Sequence, residues 1–565
     1  MKLRYTTLLI ALLLGAGTTL GQNVEFKASN FKEQNEALKT AVNNIKSGDE
    51  FYELGTQAFL ATKAPGDAFH RALSFYLKAQ EFNPSNAELN LKIGFSYLNT
   101  NTPYLAKTFI EKSFALDAEG DPLIFFCLGQ VYQKSMDFNK AISNYKKFQD
   151  EAKSGTVDDY KKFTSQYIKE CKHAKEIAAK KLRVWVDNVE EINSAQDDYS
   201  PSITADGELL IFTSERANGH TANDLGHYDA DIYMASAKGR QFSTPKNAGA
   251  PLNSETNDLT SGLAYDGQRI MIAREQENNL NILESKLKGT NWSEPEPKMS
   301  SNVNNAKNQW FASYDPGDNI IYYTTDENPP GGNNIYYTGK IITRGRVDNR
   351  WGKGTSVSHV LNTKFHEATV YAHPDGQTIY FSSQGHNSMG GYDIYKSVRR
   401  QGQWTPPVNM GYPINTPYDD LFFAGTANGK FAYIASNREG GKGGLDIYKV
   451  TFWGPEKPVF VDTEDYLLAS AAEPIKEPLI AKAVEVENAS QLTVFKGRVI
   501  DALTRKPVEA AINITDNAKG EVISSFASNA ATGKFLLSLP AGRNYGISLE
   551  AEGYLFHSEN FNLPE

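Results

Sequence analysis

Cysteine is nearly absent: the 565 residues hold two, Cys127 and Cys171. Two cysteines cannot build the disulfide framework on which small exported domains depend. Both fall in segments predicted to be helical, where a small buried thiol is common, and the sequence alone leaves a pair of free thiols or one disulfide open. Clustered positive charge is lacking too. Lys and Arg number 58 against 67 Asp and Glu, a net charge of −9, with no long basic run. That argues against a nucleic-acid footprint, which needs grouped cations to neutralise phosphates. Catalytic signatures are also missing: there is no G-x-S-x-G elbow, no H-E-x-x-H, no C-x-x-C and no phosphate loop. His366-Glu367 stands as an isolated pair. From these absences the chain is expected not to be an enzyme and to need no cofactor.

Long apolar runs are confined to the N-terminus. Residues 1–21 place Lys2 and Arg4 before an apolar stretch from Leu8 to Leu14, and small residues follow. This pattern is that of a cleavable secretory signal, too short to span a bilayer. Cleavage after Gly21 would leave Gln22 first, and no cysteine stands there to carry a lipid. The mature chain is therefore expected to be exported and soluble or peripheral, with no transmembrane segment.

What is present in abundance is repetition. From about residue 30 to 182 apolar residues recur at helical spacing. Gly94 and Gly129 are 35 apart, and Ala72, Ala106 and Ala141 are 34 and 35 apart. Tyr76, Ile110 and Tyr145 each follow one of those alanines by four residues. The pattern resembles the tetratricopeptide repeat, a helix pair whose small residues allow close approach. Three repeats are expected at 51–84, 87–120 and 122–155, the first with about five extra residues around Ala61–Gly66, and a Lys-rich helix over 157–182 would cap the stack. Such a domain, 22–182, implies either a concave surface for a partner or a spacer.

A second repeat follows. Asp231-Ile232-Tyr233, Asn281-Ile282-Leu283, Asn334-Ile335-Tyr336, Asp393-Ile394-Tyr395 and Asp446-Ile447-Tyr448 are five copies of one strand start. A turn signal precedes each, at Asp206-Gly207, Asp266-Gly267, Pro316-Gly317, Asp375-Gly376 and Asn428-Gly429. Such glycines supply the positive φ of tight hairpins. Phe242, Trp292, Trp351 and Trp404 follow four of the five. A period of 50–60 residues holding about four strands marks a β-propeller blade. Residues 183–453 resemble the WD40-like propeller of TolB-type periplasmic proteins. Five copies predict five blades, six if a degenerate one is counted, and Arg183–Glu190 would lend a strand to the last. Ser313–Gly317 faintly resembles the Asp-box turn of sialidases, but it occurs once.

Asp198, Asp258, Gln309, Glu367 and Asp420 lie nine, nine, eight, nine and nine residues before the turn glycines. They should share one layer of the innermost strands, near a mouth of the channel. Asp198, Asp258, Glu367 and Asp420 are thus candidate ligands for a cation, since converging carboxylates are costly without counter-charge. The alternative is that each holds backbone at the start of its own blade.

Residues 454–490, rich in Pro, Glu and Ala, are expected to form a linker. Residues 491–565 carry Gly497, Val499, Asp501, Thr504, Pro507, Gly533, Phe535, Leu539, Gly542, Tyr545, Gly553 and Tyr554 in the order of the carboxypeptidase-regulatory-like, transthyretin-like β-sandwich, which they resemble. A hairpin is expected at Pro540–Gly542 and a turn at Gly553. The expected fold class is therefore multidomain, an α-solenoid followed by all-β domains.

Signal, helical repeats, propeller and sandwich in this order resemble the OmpA-family envelope proteins of Bacteroidota, including PorE-like components of type IX secretion and gliding. The resemblance implies a periplasmic, outer-membrane-associated scaffold whose partners are other envelope proteins. Relatives of this kind bind peptidoglycan through an OmpA-like domain, and no residue from 1 to 565 matches that domain. The alternative is a sensory propeller that binds a glycan or a divalent cation.

Overall fold

The computed structural model describes residues 22–62, 66–151, 156–217, 222–238, 241–276, 279–297, 308–326, 332–343, 346–427, 429–452 and 492–564. The expected signal at 1–21 and linker at 454–490 lie outside them. Among the described residues no helix is long and apolar enough to cross a membrane. The chain divides into two compact units, Met1–Gln133 with Asn139–Gln166, and Lys134–Phe138 with Tyr167–Glu565.

The first unit is helical. It comprises α1 (Asn35–Leu60), α2 (Ala68–Phe82), α3 (Ala87–Leu98), α4 (Ala106–Leu116), all but the last residue of α5 (Leu123–Lys134), all but the first of α6 (Phe138–Glu151) and the start of α7 (Thr156–Ala178). Pro84 ends one pair, and the Asn86 side chain accepts from Leu89 N at 2.8 Å to cap the next helix, satisfying an amide that has no intrahelical partner. Ala72, Ala106 and Ala141 are fully buried. At Gly94 and Gly129 a Cβ would run into Ile110 and the Tyr145 ring. Only glycine permits that approach.

The first repeat departs from its expected register. Tyr76, the counterpart of Ile110 and Tyr145, lies against Gly48 and bonds Asp49 Oδ1 at 2.6 Å, while Gly55 faces Phe69. The α1 helix starts at Asn35 rather than near 51, so two further turns carry the glycine backwards along it. Cys127 and Cys171 are both buried free thiols, and burial pushes the Cys171 thiol up to about 12.

The second unit is built from antiparallel sheets. Five of them share one plan. Sheet I begins with Asp198–Ile203, sheet II with Asp258–Leu263, sheet III with Gln309–Tyr314, sheet IV with Glu367–Ala372 and sheet V with Asp420–Gly425. Two longer strands follow in each, the third starting at or near the repeated Asp/Asn-Ile-Tyr. Sheet V gains its fourth strand from Val184–Asn188, which pairs antiparallel with Asp446–Phe452. The first strands of the five sheets touch one another, so the arrangement is consistent with a β-propeller whose axis they line. Phe242 packs edge-on against Tyr433 of sheet V at 5.7 Å, and Trp404 against Tyr322 of sheet III at 6.2 Å. The aromatics therefore join one sheet to the next.

Four turn glycines adopt the positive φ expected of them, from +63° at Gly429 to +74° at Gly207. Sheet III differs. There Asp318 takes φ +51° in place of Gly317, held as Asp315 accepts from the amides of Gly317, Asn319 and Ile320. Aspartate tolerates the left-handed region better than most side chains, because it bonds locally.

The last domain packs a two-stranded sheet (Leu492–Arg498 with Lys534–Pro540) and a four-stranded one around Ile512, Ile514, Phe535, Leu537 and Tyr545. The expected hairpin at Pro540–Gly542 is not one. Lys534–Pro540 pairs with Leu492–Arg498, whereas Arg543–Glu550 pairs with Ala511–Asp516 and His557–Leu563. The turn thus passes the chain from one sheet to the other. Gly533, at φ +68°, has no room for a Cβ beside the Val499 carbonyl.

Candidate functional site

Each inner strand opens with the residue singled out in the sequence and then bulges. Register shifts lie at Tyr199/Ser202, Thr260/Gly262, Gln309/Ala312, Glu367/Thr369 and Leu421/Ala424. A bulge turns backbone groups sideways, and here neighbouring sheets meet them. Thr213 Oγ1 accepts from Thr260 N at 2.9 Å, Ser261 Oγ from Ala312 N at 2.7 Å, and Ser313 Oγ from Ala372 N at 2.9 Å.

Asp198, Asp258, Glu367 and Asp420 are fully buried. Their oxygens are taken up by their own sheets. Asp198 Oδ2 accepts from Ser194 N and Oγ at 2.5 and 2.8 Å, and its Oδ1 meets Arg216 at 2.6 Å. Asp258 repeats this with Ser254 N and Oγ at 2.6 and 2.7 Å and Arg274 at 2.5 Å. Asp420 does so with Thr416 N and Oγ1 at 2.6 and 2.8 Å and with Arg438. Burial raises Asp258 and Asp420, and their arginines pull them back. Each arginine also grips a carbonyl: Arg216 that of Ile192, Arg274 that of Leu252 and Arg438 that of Ile414.

Glu367 is the exception. It accepts from Thr363 N, Thr363 Oγ1 and Ser383 Oγ at 3.1, 2.8 and 2.9 Å. No arginine is among these partners. The Leu361 carbonyl, which arginine holds in the sister sheets, meets His386 Nε2 at 3.0 Å. Burial without a cation pushes Glu367 up to about 7.

A second device went unread in the sequence. Asn193, Asn253, Asn362 and Asn415 use their amides as a strand substitute. Each side chain accepts from the backbone N and donates to the backbone O of the central Ile of a repeat, Ile447, Ile232, Ile335 and Ile394, at 2.8–3.0 Å. The signal was available as Asn-Ser/Thr-x-x-x-Asp/Glu, four times. The repeated Asp has a similar duty: Asp393 Oδ2 accepts from Met389 N and Asn409 Nδ2, both at 2.7 Å.

The candidate carboxylates therefore share a layer without forming a ligand set. Among the described residues no three His, Cys, Asp or Glu side chains stand together as a metal site. The cavity on the axis, lined by Phe311, Tyr371, Phe422 and neighbours, has a volume of ≈ 40 Å³. That admits a few waters and falls far below the roughly 300 Å³ of a small-molecule pocket.

No family model matches the chain, and no curated protein matches it either. Solved structures do. A TolB-type protein of Agrobacterium tumefaciens is 16% identical over 45% of this chain and 76% of its own, with a TM-score of 0.29. A prolyl endopeptidase is 12% identical over 79% and 56%, with a TM-score of 0.25. The NanB sialidase of Streptococcus pneumoniae is 15% identical over 42% and 39%, also at 0.25. Similar structures are mostly enzymes, so the expectation of a chain without enzymatic activity finds no support in them. Likeness at this level carries no reaction and no catalytic residue to this chain.

Proposed function

We propose that the chain is a periplasmic scaffold at the inner face of the outer membrane, holding envelope proteins together. In this reading the first unit is a tetratricopeptide solenoid, the five sheets are a five-bladed TolB-like propeller, and the last domain is a regulatory-like sandwich that spaces them. The process served is type IX secretion or gliding, as in PorE-like proteins of the OmpA family. One observation carries it: the carboxylates of the ring are consumed in holding the ring, and the cavity on its axis has room for only a few waters. What remains for recognition is outer surface, of which repeat folds have much.

The test is affinity capture of the tagged chain from detergent-solubilised envelopes, with mass spectrometry, repeated with each domain as bait. Outer-membrane secretion or gliding components should come with it. A clean preparation without specific companions would overturn the scaffold.

A further inference from the structure

Sheet edges must be defended, because unpaired N–H and C=O groups invite another strand. In sheets I, II and IV the outer position is defended by breakage. It is split into two-residue pieces, Gln241–Phe242 and Lys246–Asn247, Asn291–Trp292 and Glu296–Pro297, Gln403–Trp404 and Val408–Asn409. Pro245, Pro295, Pro406 and Pro407 interrupt them. The outer strands of sheets III and V, Arg346–Trp351 and Val184–Asn188, are unbroken among the described residues, and that of sheet V borders a cavity. Val184–Asn188 contains neither Pro nor Gly, and pairs on one side with Asp446–Phe452.

The register shows which groups face outward. Val189 N bonds Ile447 O at 3.0 Å, so Trp185, Asp187 and Val189 exchange bonds with the neighbouring strand. Alternation then turns the N–H and C=O of Val184 and Val186 to the outer edge, where no strand of the described residues pairs with them. The same edge is already used once: Leu182 N donates to Tyr412 O at 2.9 Å. Trp185 is 60% exposed. Beside the strand, within the same unit, lies a cavity of ≈ 730 Å³. Lys134, Lys181, Arg183 and Arg438 line it, Arg438 already paired with Asp420, and Glu439 is the one carboxylate among its walls.

We infer that the free edge of Val184–Asn188 docks an extended, acidic segment of a partner protein, which adds to sheet V as a further strand. This rests on the scaffold reading and gives it a site. Main-chain bonds to Val184 and Val186 supply register, the cavity takes an apolar side chain, and Lys181 and Arg183 select carboxylates over amines.

The probe is a fluorescent nonapeptide alternating glutamate and valine about a central phenylalanine, with a lysine-for-glutamate version as control. Anisotropy with the full chain should show saturable binding of the first and none of the second. Val186→Pro removes the outward N–H but no bond to Asp446–Phe452, and should weaken binding about tenfold. Exchange of the Val186 amide should slow when peptide is added to the unaltered chain. Equal binding by V186P with a native unfolding transition would overturn the inference, as would equal binding of the lysine peptide. If V186P does not fold, the pair Lys181→Glu and Arg183→Glu decides, and unchanged binding refutes. A dimer in sedimentation that V186P dissociates would assign the edge to a second copy, also refuting it. Companions still captured from envelopes by V186P would remove this edge yet leave the scaffold standing.

Discussion

Replacing Glu367 with glutamine should change how stability depends on pH while leaving the fold intact. Glu367 is buried with three hydrogen-bond donors and no arginine, and its pKa stands at about 7 against 4.5 for the free side chain. The folded state therefore binds a proton that the unfolded state has released between those values. Stability is greatest below about 4.5 and falls as pH rises through about 7. At 1.36 kcal/mol per pKa unit the fall approaches roughly 3 kcal/mol, or about 5 °C in Tm for a domain of this size. His386 pulls the other way, since burial lowers its pKa, but it is common to both proteins and cancels in their difference. Glutamine keeps an oxygen for Thr363 N, and its amide can donate to either hydroxyl. Calorimetry from pH 5 to 8 should show the variant level with or below the wild type at pH 5 and several degrees above it at pH 8. Parallel curves would refute the burial argument.

Arg274→Ala should cost about 3–5 kcal/mol, because Asp258 is left charged and buried; adding Asp258→Asn should recover part of it, both by chemical denaturation. Asn415→Ala strands the backbone N of Ile394 and leaves its O with Met410 N alone, and should cost roughly 1–3 kcal/mol in the same assay. Gly129→Val drives a side chain into the Tyr145 ring and should destabilise the helical unit by about 3 kcal/mol, with the propeller transition unchanged.

The sequence made the five-fold plan readable because each sheet needs the same turn and strand start, and the helical pairing because close contact admits only Gly or Ala. Other features were hidden for physical reasons. Arg216, Arg274 and Arg438 lie 16 to 18 residues beyond their carboxylates, a distance set by hairpin length rather than by any local rule. The left-handed Asp318 hid behind a neighbouring glycine with the usual spelling. The long α1 concealed its register because Gly48 and Gly55 stand two turns apart and both meet an aromatic ring. In the ring of carboxylates residue type alone could not separate a cation site from a staple, since both need buried acids. The Asn-Ser/Thr pair five and four residues earlier is what distinguishes them, and it was legible.

Cross-linking in intact cells, read by mass spectrometry, tests the proposed function most directly. A scaffold predicts cross-links from lysines of the helical unit and the propeller to outer-membrane secretion or gliding proteins. Recovery of the chain in the cytoplasm, or cross-links confined to itself, would contradict it.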